Sequence, residues 1–191
     1  MKSSSLGRRH FLTVLAVTAG PGMGCGSEAR TGPNLDRLPT YEGEVAKSFD
    51  DSIEPAVFNL TLEGRSLQTD GRFRPRAQGA DVVATLRITT VTVSRTNGQT
   101  TYTLQFELLK THVGELDAAL LELRLTEKQS QAYSVISAVQ TRAQKVSLVA
   151  MFKRFREQNR ASVHFYFAPD NADTTKALQD ALALDALRTK Q

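Results

Sequence analysis

Asn97-Gly98 is the most constraining pair of residues in this chain. A two-residue type I′ turn needs positive φ at both positions, which Asn and Gly supply at least cost, and its twist matches that of two antiparallel strands. After the pair, Tyr102, Leu104, Phe106 and Leu108 alternate with polar residues. Before it, Val82, Ala84, Leu86 and Ile88 alternate in the same way, and the apolar set then slips by one, to Val91 and Val93. Side chains change face at every residue of a strand, so a slip that keeps one face apolar requires an extra residue. Such a β-bulge bends the sheet. The middle of the chain therefore predicts a long, curved β-hairpin.

Other segments repeat the period of two. Phe58, Leu60 and Leu62 form one set and Leu121, Leu123 and Leu125 another; Val163, Phe165 and Phe167 form a third, closed by Pro169-Asp170-Asn171. Within residues 133–156, Val146, Leu148, Ala150 and Phe152 alternate, although Leu148, Met151, Phe152 and Phe155 also fit a helical stripe. β-Branched content and neighbouring hairpins favour a strand there. Tyr41, Val45, Phe49 and Ile53 recur at steps of four, predicting a short helix from an N-cap at Thr40 to Pro55. Ala177, Leu178, Ala181, Leu182, Leu184 and Leu187 predict a C-terminal helix.

The expected fold is mainly β, with six or seven antiparallel strands in a small barrel or sandwich, OB-like or up-and-down, between a short N-terminal helix and a C-terminal one. Ala80-Asp81-Val82-Val83, Glu107-Leu108-Leu109-Lys110 and Leu148-Val149-Ala150-Met151-Phe152 resemble uncharacterised secreted bacterial proteins with an OB-like Greek-key barrel. That likeness covers roughly half of the chain and rests on patterned strands, so it implies a fold and no activity. The competing picture is a lipocalin-like up-and-down barrel, for which the chain has no signature residues.

The beginning of the chain reads as an address. Residues 2–9 are polar and positive, residues 11–19 are apolar, and Gly20-Pro21-Gly22 ends the run before Met23-Gly24-Cys25. This is the pattern of a secretory signal, and its apolar run is far shorter than the roughly 20 residues of a membrane-spanning helix. Arg8, Arg9, Phe11 and Leu12 resemble the bacterial twin-arginine export motif, without its usual Ser or Thr before and Lys after. Gly24-Cys25 resembles a lipobox, with Gly22 where a Leu is usual, which implies acylation of Cys25. Cleavage by ordinary signal peptidase after Val17-Thr18-Ala19 is the alternative. The expected division is a signal at 1–24, a lipidated flexible tether at 25–39 and a single β-rich domain at 40–191.

Charge matters for partners. The net charge is +4, and Lys2, Arg8 and Arg9 carry three of those four units, so the exported part is close to neutral. With 40% hydrophobic and 23% charged residues, the composition excludes wholesale disorder, a collagen-like chain and a multi-span membrane protein. Two basic stretches remain. Arg65, Arg72, Arg74 and Arg76 surround Phe73, and Arg142, Lys145, Lys153, Arg154, Arg156 and Arg160 lie around Phe152 and Phe155. Of these, Arg72, Arg74, Arg76, Lys153, Arg154 and Arg156 are the candidate surface for anionic lipid, polysaccharide or an acidic envelope protein. Export removes the chain from nucleic acid.

No motif for chemistry is found. Cys25 is the only cysteine, which excludes disulfides and thiolate sites from the domain. His112 is expected in a loop and His164 on the outward face of a strand, with no spacing that builds a metal site. A nucleophile elbow, a phosphate loop and a dinucleotide fingerprint are absent. Asp50, Asp51 and Glu54, and Asp170 with Asp173, are carboxylate groupings whose ordinary roles are caps and loops. No catalytic residue, metal or cofactor is expected. The expectation is an envelope lipoprotein held to a bacterial membrane by acyl chains on Cys25, binding or scaffolding without catalysis. A carrier of lipid or a small apolar ligand in the barrel interior is one alternative; a hydrolase using these carboxylates is another.

Overall fold

In the computed structural model, residues 35–60, 71–126 and 131–188 are described. The export and lipidation residues Arg8, Arg9, Phe11, Leu12 and Cys25 lie outside them, as do Leu62, Arg65 and Asp70. The elements are α1 (Gly43–Ser48), β1 (Ser52–Ile53), α2 (Phe73–Gly79), β2 (Val82–Thr96), β3 (Gln99–Val113), β4 (Glu122–Thr126), α3 (Gln131–Val139), β5 (Ser147–Glu157), β6 (Arg160–Pro169) and α4 (Ala172–Arg188). The strands form one sheet in the order β1-β6-β5-β2-β3-β4, curled into a half-barrel. Neighbours are antiparallel except β1, which runs parallel to β6.

The hairpin forms as the sequence dictates. Asn97 and Gly98 take φ of 51° and 75°, and Thr96 pairs with Gln99. The apolar slip is a bulge: Ile88 faces Phe106, Thr90 faces Gln105, and Thr89 is the extra residue. Two further shifts in β3, at His112 and Leu109, add to the curl. A second tight hairpin joins β5 to β6 through Gln158 and Asn159, at φ of 45° and 61°.

Both faces of the sheet are covered. On one, Val82, Ala84, Leu86, Leu104, Phe106, Leu148, Ala150, Phe152, Phe165 and Phe167 pack with Ala132, Val135, Ile136 and Val139 of α3. Helix α3 touches β1, β3 and β4, so it bridges the two ends of the sheet order from inside the curl. Its first residue, Gln131, extends the pairing by donating to the Ile53 carbonyl at 3.1 Å and accepting from the Ile53 N–H at 3.0 Å. The hollow of the curl is filled with aromatic rings; Phe167 lies 4.7 Å from Phe165, 5.7 Å from Phe106 and 5.8 Å from Phe152. On the other face, Val83, Val149, Met151, Phe155, Tyr166 and Ala168 pack with Phe49, Phe73, Ala77, Leu178 and Ala181 from the lead-in to β1, α2 and α4.

Three local expectations change. The N-terminal helix is only Gly43–Ser48, preceded by Glu42, which makes no side-chain cap, rather than starting at Thr40, because positive φ at Gly43 and Asp51 interrupts the run on either side. Ile53 is in a strand, and the step of four that joined it to Phe49 is coincidental. Pro55–Phe58 is a 3-10 turn ended by Asn59 in the left-handed region, so Phe58 and Leu60 are not strand residues. Residues 133–156 divide into the end of α3, a turn at Gln140–Ala143 and a strand from Ser147, with Val146 bonded at its threshold to Ile88.

Candidate functional site

The six basic residues grouped from the sequence are separated by the fold. Helix α2 sets Phe73, Arg76 and Ala77 on one buried face, so Arg76 is 4% exposed, while Arg72 and Arg74 stand in solvent. The Arg76 guanidinium lies 3.7 Å from the Tyr166 ring centroid, its Nε donates to the Ser48 carbonyl, and Asp50 Oδ1 is 3.8 Å from its terminal nitrogen. Its charge is used inside the domain, which removes it from any anionic-partner surface. On β5, Lys153 shares a face with Met151 and Phe155, whereas Arg154 and Arg156 share the opposite face with Ala150 and Phe152. Lys153 pairs with Asp81 at 3.3 Å and Arg156 approaches Asp36 at 3.9 Å.

What gathers around Arg154 is a recess. Asp81, Val82, Glu115, Leu116, Asp117 and Arg154 line about 290 Å³ of open space beside the start of β2 and the end of β3. The turn that shapes it depends on Gly114, whose φ is +69° and whose missing Cβ leaves room for the Asp81 carbonyl. Asp81 is fixed from two sides, with Oδ2 accepting the Arg154 N–H at 2.7 Å and Oδ1 facing Lys153. Asp117 accepts the Ala119 N–H at 3.1 Å and caps the following turn. The walls thus carry three carboxylates and one guanidinium, an arrangement suited to a polar segment bearing both signs of charge. Among the described residues no group of His, Cys, Asp and Glu is placed to hold a metal ion.

The carboxylate groupings serve the structure. Asn171 Oδ1 accepts the Thr174 N–H at 2.8 Å, capping α4 between Asp170 and Asp173. Asp51 reaches β6, where Oδ1 accepts the Phe165 N–H at 3.1 Å and Oδ2 lies 2.9 Å from His164 Nδ1. His164 is not on an outward face. Its side chain is 12% exposed, stacked on Tyr41 at 3.7 Å with an interplanar angle of 7°, and edge-on to Phe155. Nε2 is sealed from solvent without a hydrogen-bond partner, 3.5 Å from Glu157. Burial pulls the His164 pKa down, but the Asp51 hydrogen bond and the charges of Asp51 and Glu157 outweigh it and hold it above the ordinary histidine value. An Asp–His pair of this kind is the geometry of a general base, yet the nitrogen that would take the proton is closed to substrate.

His112, expected in a loop, is a bulge residue of β3 bonded to Thr85 Oγ1 at 2.9 Å. Its pKa lies below the ordinary value, first through burial and then through Lys110, against a smaller opposing effect of Asp170. Sequence reasoning missed the Tyr41–His164–Asp51 arrangement because His164 is 113 residues from Asp51 and further still from Tyr41, and no local pattern joins them. No protein-family model, curated protein or solved structure matches the chain.

Proposed function

We propose that this chain is a lipoprotein of the bacterial envelope, tethered through acyl chains on Cys25, whose domain binds another envelope component and catalyses nothing. The address at residues 8–25 supports the tether: acyl chains contribute about 0.8 kcal/mol per buried methylene, so two or three of them hold a domain at a membrane. The observation that carries the binding reading is the recess around Arg154, open beside a sheet whose hollow is filled. The filled hollow weighs against carriage of lipid. The sealed Nε2 of His164 weighs against hydrolysis. The partner that suits the recess is a protein segment presenting basic and acidic side chains together, met by Glu115 and Arg154.

Two measurements on cells test the reading. Cys25→Ser is expected to move the protein from the carbonate-washed membrane pellet to the soluble fraction; retention in the pellet overturns the tether. A photo-crosslinking residue at Glu115 is expected to give a discrete adduct that the same residue at Gln99, on the hairpin tip, does not. Equal labelling from both positions, or none from Glu115, overturns the binding site.

A further inference from the structure

Residues 39–53 form a strap laid across β5 and β6, held by main-chain bonds at its ends, by Arg76 on Ser48, and by an imidazole under its middle. The strap begins with the Arg156 N–H donating to the Pro39 carbonyl at 2.8 Å and the Tyr41 N–H donating to the Arg156 carbonyl at 3.4 Å. It ends with Ser52 beside Tyr166, Ile53 beside Phe167, and the Glu54 N–H donating to the Phe167 carbonyl at 2.9 Å. Between these ends, Tyr41 Oη donates to the Phe49 carbonyl at 3.0 Å, drawing the strap into a closed loop over the buried Phe49 ring. His164 of β6 lies under both sides of that loop, stacked on Tyr41 and bonded to Asp51, and Glu157 of β5 faces its other nitrogen.

We propose that His164 is a pH-operated latch, which as imidazolium joins Asp51 of the strap to Glu157 of the sheet and as neutral imidazole holds the strap less tightly. The charge arrangement explains why. The imidazolium donates from Nδ1 to Asp51 at 2.9 Å and brings its positive Nε2 edge within 3.5 Å of the Glu157 carboxylate. A neutral ring with its proton on Nδ1 points the lone pair of a sealed Nε2 at the Glu157 carboxylate. A neutral ring with its proton on Nε2 does the same to Asp51. The first tautomer sets a lone pair against Glu157, the second leaves Asp51 with the Phe165 N–H alone, and both forfeit the attraction between opposite charges. The other charged groups facing the site do not reverse this: Lys153, opposite His164 on β5, is paired with Asp81 at 3.3 Å. Tyr41 is kept neutral, its pKa raised by burial and then by Asp51, Asp50 and Glu157. The fixed positive charge of Arg76 lies on Tyr166 and near Asp50, one step further along β6.

The sign follows from the raised His164 pKa. The latch is fully engaged below the unfolded value near 6.5 and is lost as pH rises through the folded value.

Hydrogen exchange of the intact chain between pH 5.5 and 8.5, corrected for intrinsic rates, tests the latch. Exchange at Tyr41, Glu54 and Phe165 is expected to rise several-fold with pH, while Val149 and Met151 in the centre of the sheet stay protected. His164→Phe retains a ring for Tyr41 to stack on and cannot titrate, so it is expected to abolish the pH dependence. Asp51→Asn retains an acceptor for the Phe165 N–H and the tolerated φ; it is expected to flatten the profile even if the first variant folds poorly. Strap exchange independent of pH in the parent, or an undiminished pH dependence in Asp51→Asn, overturns the proposal.

Discussion

Gly114→Ala gives a direct test of how closely the end of β3 approaches the start of β2, because the chain contains its own control. Gly114 and Gly98 have nearly the same backbone, φ of 69° and 75°, so an alanine at either position bears the same left-handed strain. That strain is about 1–2 kcal/mol, less about 0.4–1 kcal/mol returned by a stiffer unfolded chain. Gly98→Ala meets no atom within 4 Å, so its cost stops near 1 kcal/mol or below. At Gly114 the new Cβ would collide with the Asp81 carbonyl oxygen, with the carbonyl carbon at 3.2 Å and Val82 Cγ2 at 3.4 Å. Both obstacles are backbone or anchored to it, and Asp81 is fixed by its N–H donating to the Phe152 carbonyl at 2.9 Å and by its carboxylate on Arg154. Relief therefore means parting the Val83–Val113 pair, and overpacking of this kind costs about 1–3 kcal/mol more. The total for Gly114→Ala is about 3 kcal/mol. With a urea slope of about 2 kcal/mol/M, it is expected to lower the unfolding midpoint by about 1.5 M, against about 0.5 M or less for Gly98→Ala. Equal midpoints for the two variants would refute the argument from close approach.

Two further substitutions probe the interior. Phe167→Ala, removing a fully buried ring that meets three others, is expected to cost about 3–5 kcal/mol in the same assay, and a loss below about 1 kcal/mol would mean that the hollow of the curl is loosely filled. Arg76→Lys keeps a buried positive charge but loses the planar stack on Tyr166 and the Nε bond to Ser48, and is expected to cost about 1–2 kcal/mol; an unchanged melting temperature would show the ring contact to be idle.

Where structure is set by near neighbours, the sequence is legible. The turn at Asn97-Gly98, the bulge at Thr89 and helix α4 are each written within about a dozen residues. Helix α3 has its signal too, in Ala132, Val135, Ile136 and Val139, but it abuts an alternating run and is merged with it by eye. The Gln158-Asn159 turn was illegible because Gln carries no preference for positive φ. His164 is the instructive error. Its parity is opposite to Phe165 and Phe167, as the alternation says, but opposite means outward only when one face of a sheet is wet. Here α2, α4 and the strap cover the second face, and which segments would do so is decided by contacts too distant in sequence to leave a local pattern. Arg76 failed for a different reason: its neighbours Phe73 and Ala77 marked a buried helical face that the grouping by charge ignored.

The strap also sets an order of events. Its main-chain partners are β5 and β6, with Asp51 and His164 separated by 113 residues, so among the described elements it is synthesised early and docks on strands completed late. Closing so long a loop is rewarded only once the β5–β6 hairpin exists to receive it. Strap contacts are therefore expected to form after the folding transition state. Substitutions at Tyr41, Phe49 or Asp51 should leave the refolding limb of the chevron in place and steepen the loss of the native state by faster unfolding. The lifetime of the folded domain, more than its rate of formation, is what residues 39–53 are expected to govern.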